Sequence, residues 1–151
     1  MTSKKYKIFF KVIPPGSKKE VTESLWAEKV SVNQYRLTNI PCFAYDVSNG
    51  DVVSTETREG MLFFEKVVLR SGHSTYRIIV VNSTPRNKLD QYLSPIFNLG
   101  CVGESMVRGY HVVCIDVPPT VDIIKVYKLL ELGENNKIWT FEEAHYGRSD
   151  Q

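Results

Sequence analysis

The chain is short of the residues that usually announce a chemistry. It has three cysteines, Cys42, Cys101 and Cys114, with no CxxC pair and no interleaved histidine, so neither a disulfide framework nor a zinc site is expected and the three read as buried free thiols. No run of 18 apolar residues occurs, and Met1 is followed by polar and basic residues instead of the apolar core of a secretory signal. A cytoplasmic protein with no membrane partner is the expectation. Excess charge of one sign is also missing: 19 Lys plus Arg against 17 Asp plus Glu leave +2 over 151 residues, too near balance to imply a polyanionic partner. Gly50 in Asn49-Gly50-Asp51 has no glycine partners and no helix after it, so it marks a turn and not a phosphate loop. No G-x-S-x-G elbow surrounds Ser74. No cofactor and no metal are implied.

What is present is the composition of an ordinary globular protein, 42% hydrophobic and 24% charged, long enough for one generous core or two small ones sharing an interface. The charge is unevenly spread. Residues 1–82 hold 12 basic and 8 acidic side chains, and residues 83–151 hold 7 and 9. Lysines crowd the N-terminus, while Glu131, Glu134, Glu142 and Glu143 crowd the C-terminal end.

The first half has the period of short strands. Tyr6 to Ile13 stops at Pro14-Pro15-Gly16, and two hairpins follow: residues 23–30 with 34–38, and residues 51–57 with 61–69 across Arg58-Glu59-Gly60. Five or six strands with tight turns predict a small β-barrel or a bent antiparallel sheet. The second half changes period. An apolar strand over 75–82 precedes a helix from Pro85 to Leu99, capped by Thr84 and ended by Gly100, with Pro95 expected to kink or break it near Ser94. A hairpin of 102–107 with 110–117 turns through Arg108-Gly109. A second helix over 120–132 has Thr120 as its cap, Ile123, Tyr127 and Leu130 as its buried stripe, and Gly133 as its stop. Residues 137–144 form the last strand.

The order β-α-β-β-α-β is that of a ferredoxin-like unit. Its first and third strands should be central, and Ile78-Ile79-Val80-Val81 and Val112-Val113-Cys114-Ile115 are indeed the apolar pair. The fold expected is α+β: a β-rich barrel-like half over residues 1–72 and a ferredoxin-like half over 73–151, packed together as one compact unit.

Four segments combine unusual residues densely: Glu23-Ser24-Leu25-Trp26-Ala27-Glu28, Asn39-Ile40-Pro41-Cys42-Phe43-Ala44-Tyr45-Asp46, Ser48-Asn49-Gly50-Asp51-Val52-Val53, and Ser71-Gly72-His73-Ser74-Thr75-Tyr76-Arg77. In this order they resemble the bacterial family called domain of unknown function 4265, most clearly from Glu23 to Arg77, with Trp139-Thr140-Phe141-Glu142-Glu143-Ala144 similar to the family's closing strand. The chain departs from the family pattern at Cys42, where a second aromatic is expected, and at Tyr45-Asp46, where small residues are usual. The resemblance implies a bacterial, soluble, two-part α+β chain and supplies no activity.

Within these segments His73 is followed by two hydroxyls, but neighbours on a strand point to opposite faces, so His73 is poorly placed to activate Ser74. Its expected role is hydrogen bonding to loop backbone at the junction of the halves, with Asp46 or Asp51 as candidate orienting carboxylates. Trp26, Phe43, Tyr45, Asp46, Asp51, His73 and Ser74 are the candidate lining of a ligand pocket at that seam. Nucleic acid is not favoured as a partner. Tyr76, Ile78 and Val80, taken with Val112, Cys114 and Asp116 as one exposed face of the central strands, offer a single stacking aromatic and a carboxylate.

The function expected is that of a non-enzymatic protein-binding module, a bacterial inhibitor or immunity protein that neutralises a toxin by direct binding. A toxin acting on nucleic acid carries a basic cleft, so a blocking protein should present carboxylates, and Glu131, Glu134, Glu142 and Glu143 are the candidate partner-binding set. The alternatives are a small-ligand or regulatory module using the seam pocket, and a hydrolase-like enzyme using His73.

Overall fold

The computed structural model describes residues 4–14, 16–107 and 109–148, so Pro15 and Arg108 of the expected turns lie outside the described residues. The chain is mostly β with two helices. Strands β1 (Lys5–Val12), β2 (Val21–Ser31), β3 (Gln34–Leu37), β4 (Val52–Arg58) and β5 (Met61–Leu69) close into a barrel in sequence order. Each neighbour is antiparallel except at the closure, where β1 meets β5 in parallel through only Ile8 with Leu62 and Phe9 with Phe63. Alternation fills the interior. Ile8, Phe10 and Val12 of β1 point inward beside Leu25 and Ala27 of β2, Tyr35 and Leu37 of β3 and Val53 of β4, while the intervening side chains face out. Glu59 and Gly60, both at positive φ, make the tight β4–β5 turn whose twist suits an antiparallel pair.

The second sheet contains β6 (Ser74–Val80), β7 (Val102–Val107), β8 (His111–Val117) and β9 (Trp139–His145), all antiparallel, in the order β7-β8-β6-β9. The apolar strands β6 and β8 are central, as their composition predicts. They are buried on both faces, which is why their apolar runs are nearly continuous. Register corrects one expectation: Tyr76 pairs with Ile115 and Arg77 with Cys114, so Tyr76, Ile78 and Val80 face the helices whereas Val112 and Cys114 join the barrel's core cluster. The central strands therefore present no open aromatic platform.

Helices α1 (Arg86–Asn98) and α2 (Ile123–Asn135) cover one face of this sheet through Leu89, Leu93 and Ile96, and through Ile123, Val126 and Leu130. Four local readings need correcting. Thr84 does not cap α1, because its hydroxyl donates to the Ile138 carbonyl at 3.1 Å and Pro85 holds the cap position. Asp122, not Thr120, caps α2 by accepting the N–H groups of Ile124 and Lys125. Of the kink or break expected near Ser94, the break does not occur: α1 runs through Pro95 to Asn98. Gly133 does not stop α2: it is buried within the helix against the Trp139 ring, and Val126 replaces Tyr127 in the buried stripe.

Candidate functional site

The segment between β3 and β4, residues 38–51, runs where the barrel meets the second sheet, and its backbone is held largely by side chains. Glu23 accepts the N–H groups of Cys42, Phe43 and Ala44 at 2.7, 3.1 and 2.9 Å. From β6, the fully buried Arg77 donates to the carbonyls of Cys42 and Ala44 and pairs with Glu142. Cys42 and Cys114 are joined by a disulfide, which corrects the expectation of three free thiols: Cys114 faces the barrel, and packing the segment onto β8 brings the two Cα atoms to 5.4 Å. Cys101 does remain a buried free thiol, with burial first among the causes that push it up to about 11.

Next along the chain lies a polar seam. Asp51, with no exposed surface, accepts from the Ser48 N–H (3.0 Å), the Ser71 N–H (2.8 Å) and the Arg70 guanidinium (3.2 Å). Its carboxylate thus ties the Asn49-Gly50 turn to the strand that leaves the barrel. The Ser48 hydroxyl lies 2.6 Å from that of Thr75 and 2.8 Å from His145 Nδ1, so one hydroxyl links three elements. His73 Nδ1 lies 2.9 Å from Asp116. This corrects the expected partners of His73, since neither loop backbone nor Asp46 nor Asp51 receives its ring. Burial raises Asp116 above the ordinary carboxyl value, with His73 opposing it, and burial lowers His145 below the ordinary imidazole value, with Arg70 adding to the effect.

The seven residues expected to line a pocket do not converge on one. Asp51, His73 and Ser74 belong to the seam, where buried Ser74 accepts the Gly147 N–H at 2.9 Å. Phe43 is buried core, and Tyr45 donates to Glu142 at 2.9 Å, with Arg77 4.8 Å from its ring centre. Asp46 is exposed and contributes its backbone carbonyl to Arg70. Trp26 stands apart on the outside of β2. Sequence reasoning missed Asp116, His145, Ser48 and Glu23 as seam and clamp residues. The polar residues set among apolar ones in β8 were the available signal for Asp116.

The four glutamates also separate by role. Glu142 is tied to Arg77 and Tyr45, Glu143 accepts from the Tyr76 hydroxyl at 2.8 Å, and Glu134 accepts the Phe141 N–H at 3.3 Å. Glu131 and Glu143 line one groove between α2 and β9 together with Tyr127, Ile124 and Tyr146.

Chemically, the seam is a set of mutually satisfied polar groups, and its hydroxyls on Ser48, Ser74 and Thr75 are buried away from solvent. A shallow depression lined by Arg70, Gly72, His145, Gly147 and Arg148 opens beside it. Among the described residues no group of three or more His, Cys, Asp or Glu is arranged to hold a metal ion, and no helix is long and apolar enough to cross a membrane.

No curated protein matches the chain. A crystal structure of a hypothetical protein from Neisseria gonorrhoeae is similar to it over 99% of this chain and 100% of that one, with a TM-score of 0.76 and 23% identity, a likeness of fold. A family model matches residues 23–141, which take in the clamp and seam residues from Glu23 to Asp116 and stop just short of Glu142 and His145, and the chain belongs to that family, the Domain of unknown function (DUF4265).

Proposed function

We propose that this chain is a non-enzymatic protein-binding module, of the kind an inhibitor or immunity protein represents, whose partner docks in the groove between α2 and β9. The observation that carries the reading is the groove's composition. Ile124, Tyr127 and Tyr146 are 65%, 42% and 43% exposed, large for such side chains, and they share a cleft of about 260 Å³ with Glu131, Glu143 and Lys128. Aromatic and aliphatic anchors beside two carboxylates and one ammonium group suit a partner surface of mainly basic character, the surface a toxin acting on nucleic acid would present. β9 is the edge strand beside β6, but its Phe141 N–H is taken by Glu134 and its Ala144 carbonyl by the Asp46 N–H, so the side chains of the groove, and not strand addition, carry the docking. The order β7-β8-β6-β9 supports reading residues 73–151 as ferredoxin-like, and the barrel cluster that includes Val112 and Cys114 supports reading the two halves as one body.

The test is capture of partners from the source bacterium with the wild-type chain and with Tyr127→Ala and Glu131→Lys. Glu131 suits charge reversal because Glu142 is tied to Arg77. A basic protein held by the wild type, lost by both variants and associating more slowly at higher salt is expected. A partner that ignores both substitutions would remove the groove from consideration.

A second reading, a small anionic ligand, is favoured by the depression that gathers Arg70, His145 and Arg148 beside the seam. Calorimetric titration with small carboxylates and phosphates distinguishes it, since a bound anion would raise the unfolding temperature of the wild type and not of Arg70→Ala.

A further inference from the structure

The outward positions of β1 are Lys5, Lys7, Phe9 and Lys11, because Ile8, Phe10 and Val12 fill the barrel. Register sets Trp26 of β2 opposite Lys7, and Phe63 of β5 opposite Phe9. Three aromatic side chains thus lie on three adjacent strands of one outer face. Trp26 is 44% exposed, and the Phe9 and Phe63 rings are 5.8 Å apart. Cations alternate with them: Lys7 lies 5.1 Å from the Trp26 ring and Arg58 4.1 Å from the Phe63 ring. Beyond Phe9 and Phe63 the closing ladder ends, and a cleft of about 520 Å³ opens there, lined by both rings, Lys11 and Arg58.

Two of the carboxylates on this side are engaged, Glu28 with Lys5 at 2.8 Å and Glu56 near Arg58 at 3.9 Å, while Glu20 lies at the cleft and Glu59 beside Arg58 and Phe63. Among the described residues, Lys7 and Lys11 have no carboxylate within 4.0 Å, so their two ammonium groups stand unpaired beside the rings.

We propose that this face of β2, β1 and β5 binds single-stranded nucleic acid. Flat apolar rings interleaved with ammonium and guanidinium groups match a polymer of flat bases on a phosphodiester backbone: bases stack on Trp26, Phe9 and Phe63, and phosphates pair with Lys7 and Lys11. A base stacks either on the Phe63 ring after Arg58 swings aside or on the guanidinium plane itself. The bases of a duplex are stacked on one another and out of reach of rings on a convex face, so the single strand is the form selected. The weak case for nucleic acid made from the sequence rested on the central strands of the other sheet, which are buried.

The experiment uses the full chain with twelve-nucleotide oligo-dT and oligo-rU, which separate DNA from RNA. Of the two tryptophans, Trp139 is buried and Trp26 exposed, so quenching of intrinsic fluorescence reports stacking at Trp26. Quenching on addition of either oligonucleotide is expected, with anisotropy of labelled strands giving weaker binding as salt rises. Trp26→Ala and Phe63→Leu should each weaken binding by roughly five- to a hundredfold, the range for loss of one stacked base. Lys7→Ala with Lys11→Ala should reduce the slope of log affinity against log salt by about 0.7 for each phosphate no longer neutralised, leaving the fold intact because both side chains point outward. No quenching and no salt-dependent binding in about 50 mM salt, or affinity for a duplex equal to that for the single strand, would overturn the proposal. So would competition by poly-glutamate as strong as by oligonucleotide, which would assign the face to an acidic protein.

Discussion

Glu23 and Arg77 hold one three-residue stretch through opposite polarities of the backbone: Glu23 accepts N–H groups of Cys42, Phe43 and Ala44, while Arg77 donates to the carbonyls of its two ends, Cys42 and Ala44. A loop with no strand to pair with would otherwise bury unsatisfied polar groups. The charged side chains of β2 and β6 take the place of a strand, which explains why two of the dense sequence segments begin with Glu23 and end with Arg77.

Removing either side of this clamp should therefore cost stability. Glu23→Gln is expected to lose about 1–3 kcal/mol, since its bonds are charge-assisted and partly buried. Arg77→Met should lose about 3 kcal/mol, the low end for a broken buried pair because Glu142 stays reachable by water. The double variant should lose less than the two single losses together, because both side chains hold one segment. Urea melts of the four proteins decide it, and strict additivity would show that the two ends of the clamp act independently.

The Cys42–Cys114 bond closes a loop of sequence separation 72 and ties the same segment to β8. Reduction, or Cys42→Ser with Cys114→Ser, should destabilise the protein by roughly 2–4 kcal/mol. Thiol titration of the unfolded chain without reductant should find one reactive cysteine, Cys101, and three after reduction. Three without reductant would show that the bond is not formed.

Much of the architecture is legible from side-chain period, and the misreadings share a cause. Alternation in β1 and the two hairpins, and the switch to helical spacing after Pro85, depend on residues near in sequence, which a single chain displays directly. Cys42 with Cys114 and His73 with Asp116 depend on residues 72 and 43 positions apart, whose proximity follows only from the packing of barrel on sheet. The candidate pocket dissolved for a related reason: Trp26, Phe43 and Asp51 are close in sequence order, yet alternation and turns send them outward, into the core and into the seam. Asp122 displaced Thr120 as a cap because both residue types can cap and only the local backbone decides.

The seam should make stability depend on pH through His145. Burial, with Arg70 beside it, lowers the folded value below 6.5, so between those two values the unfolded chain holds more protons than the native one. Stability then rises with pH across that window and is lost as pH falls through it. Asp116 works in the opposite sense: its raised folded value makes stability fall as pH climbs from 3.8 through that value. Denaturation midpoints measured from about pH 4 to 8 should show the acid-side loss below about 6.5, and His145→Gln should flatten it. His73→Leu, which leaves Asp116 without its ring partner, should cost roughly 1–3 kcal/mol, and His73→Gln, which keeps a donor, should cost less. An unchanged acid limb in His145→Gln would assign the pH dependence to other groups.

Gly133 gives the sharpest test because two physical effects predict opposite signs. In the interior of α2, replacing glycine by alanine should stabilise by roughly 1 kcal/mol, since alanine loses less backbone entropy and favours the helix. Yet Gly133 is buried where the Trp139 indole crosses the helix, and a methyl group there would overlap the ring at Cε2 and Cζ2. Trp139 cannot easily retreat: it is 1% exposed, its Nε1 donates to the Leu130 carbonyl at 2.9 Å, and Tyr92 packs edge-on against it. Overpacking of such a site typically costs about 1–3 kcal/mol, so the clash should outweigh the helix preference. Gly133→Ala is expected to lower the denaturation midpoint, and Trp139→Phe in the same chain should recover part of the loss by removing the colliding ring atoms. A stabilised Gly133→Ala would mean that α2 and β9 can shift apart at no cost, and that the glycine is there for its backbone and not for the tryptophan.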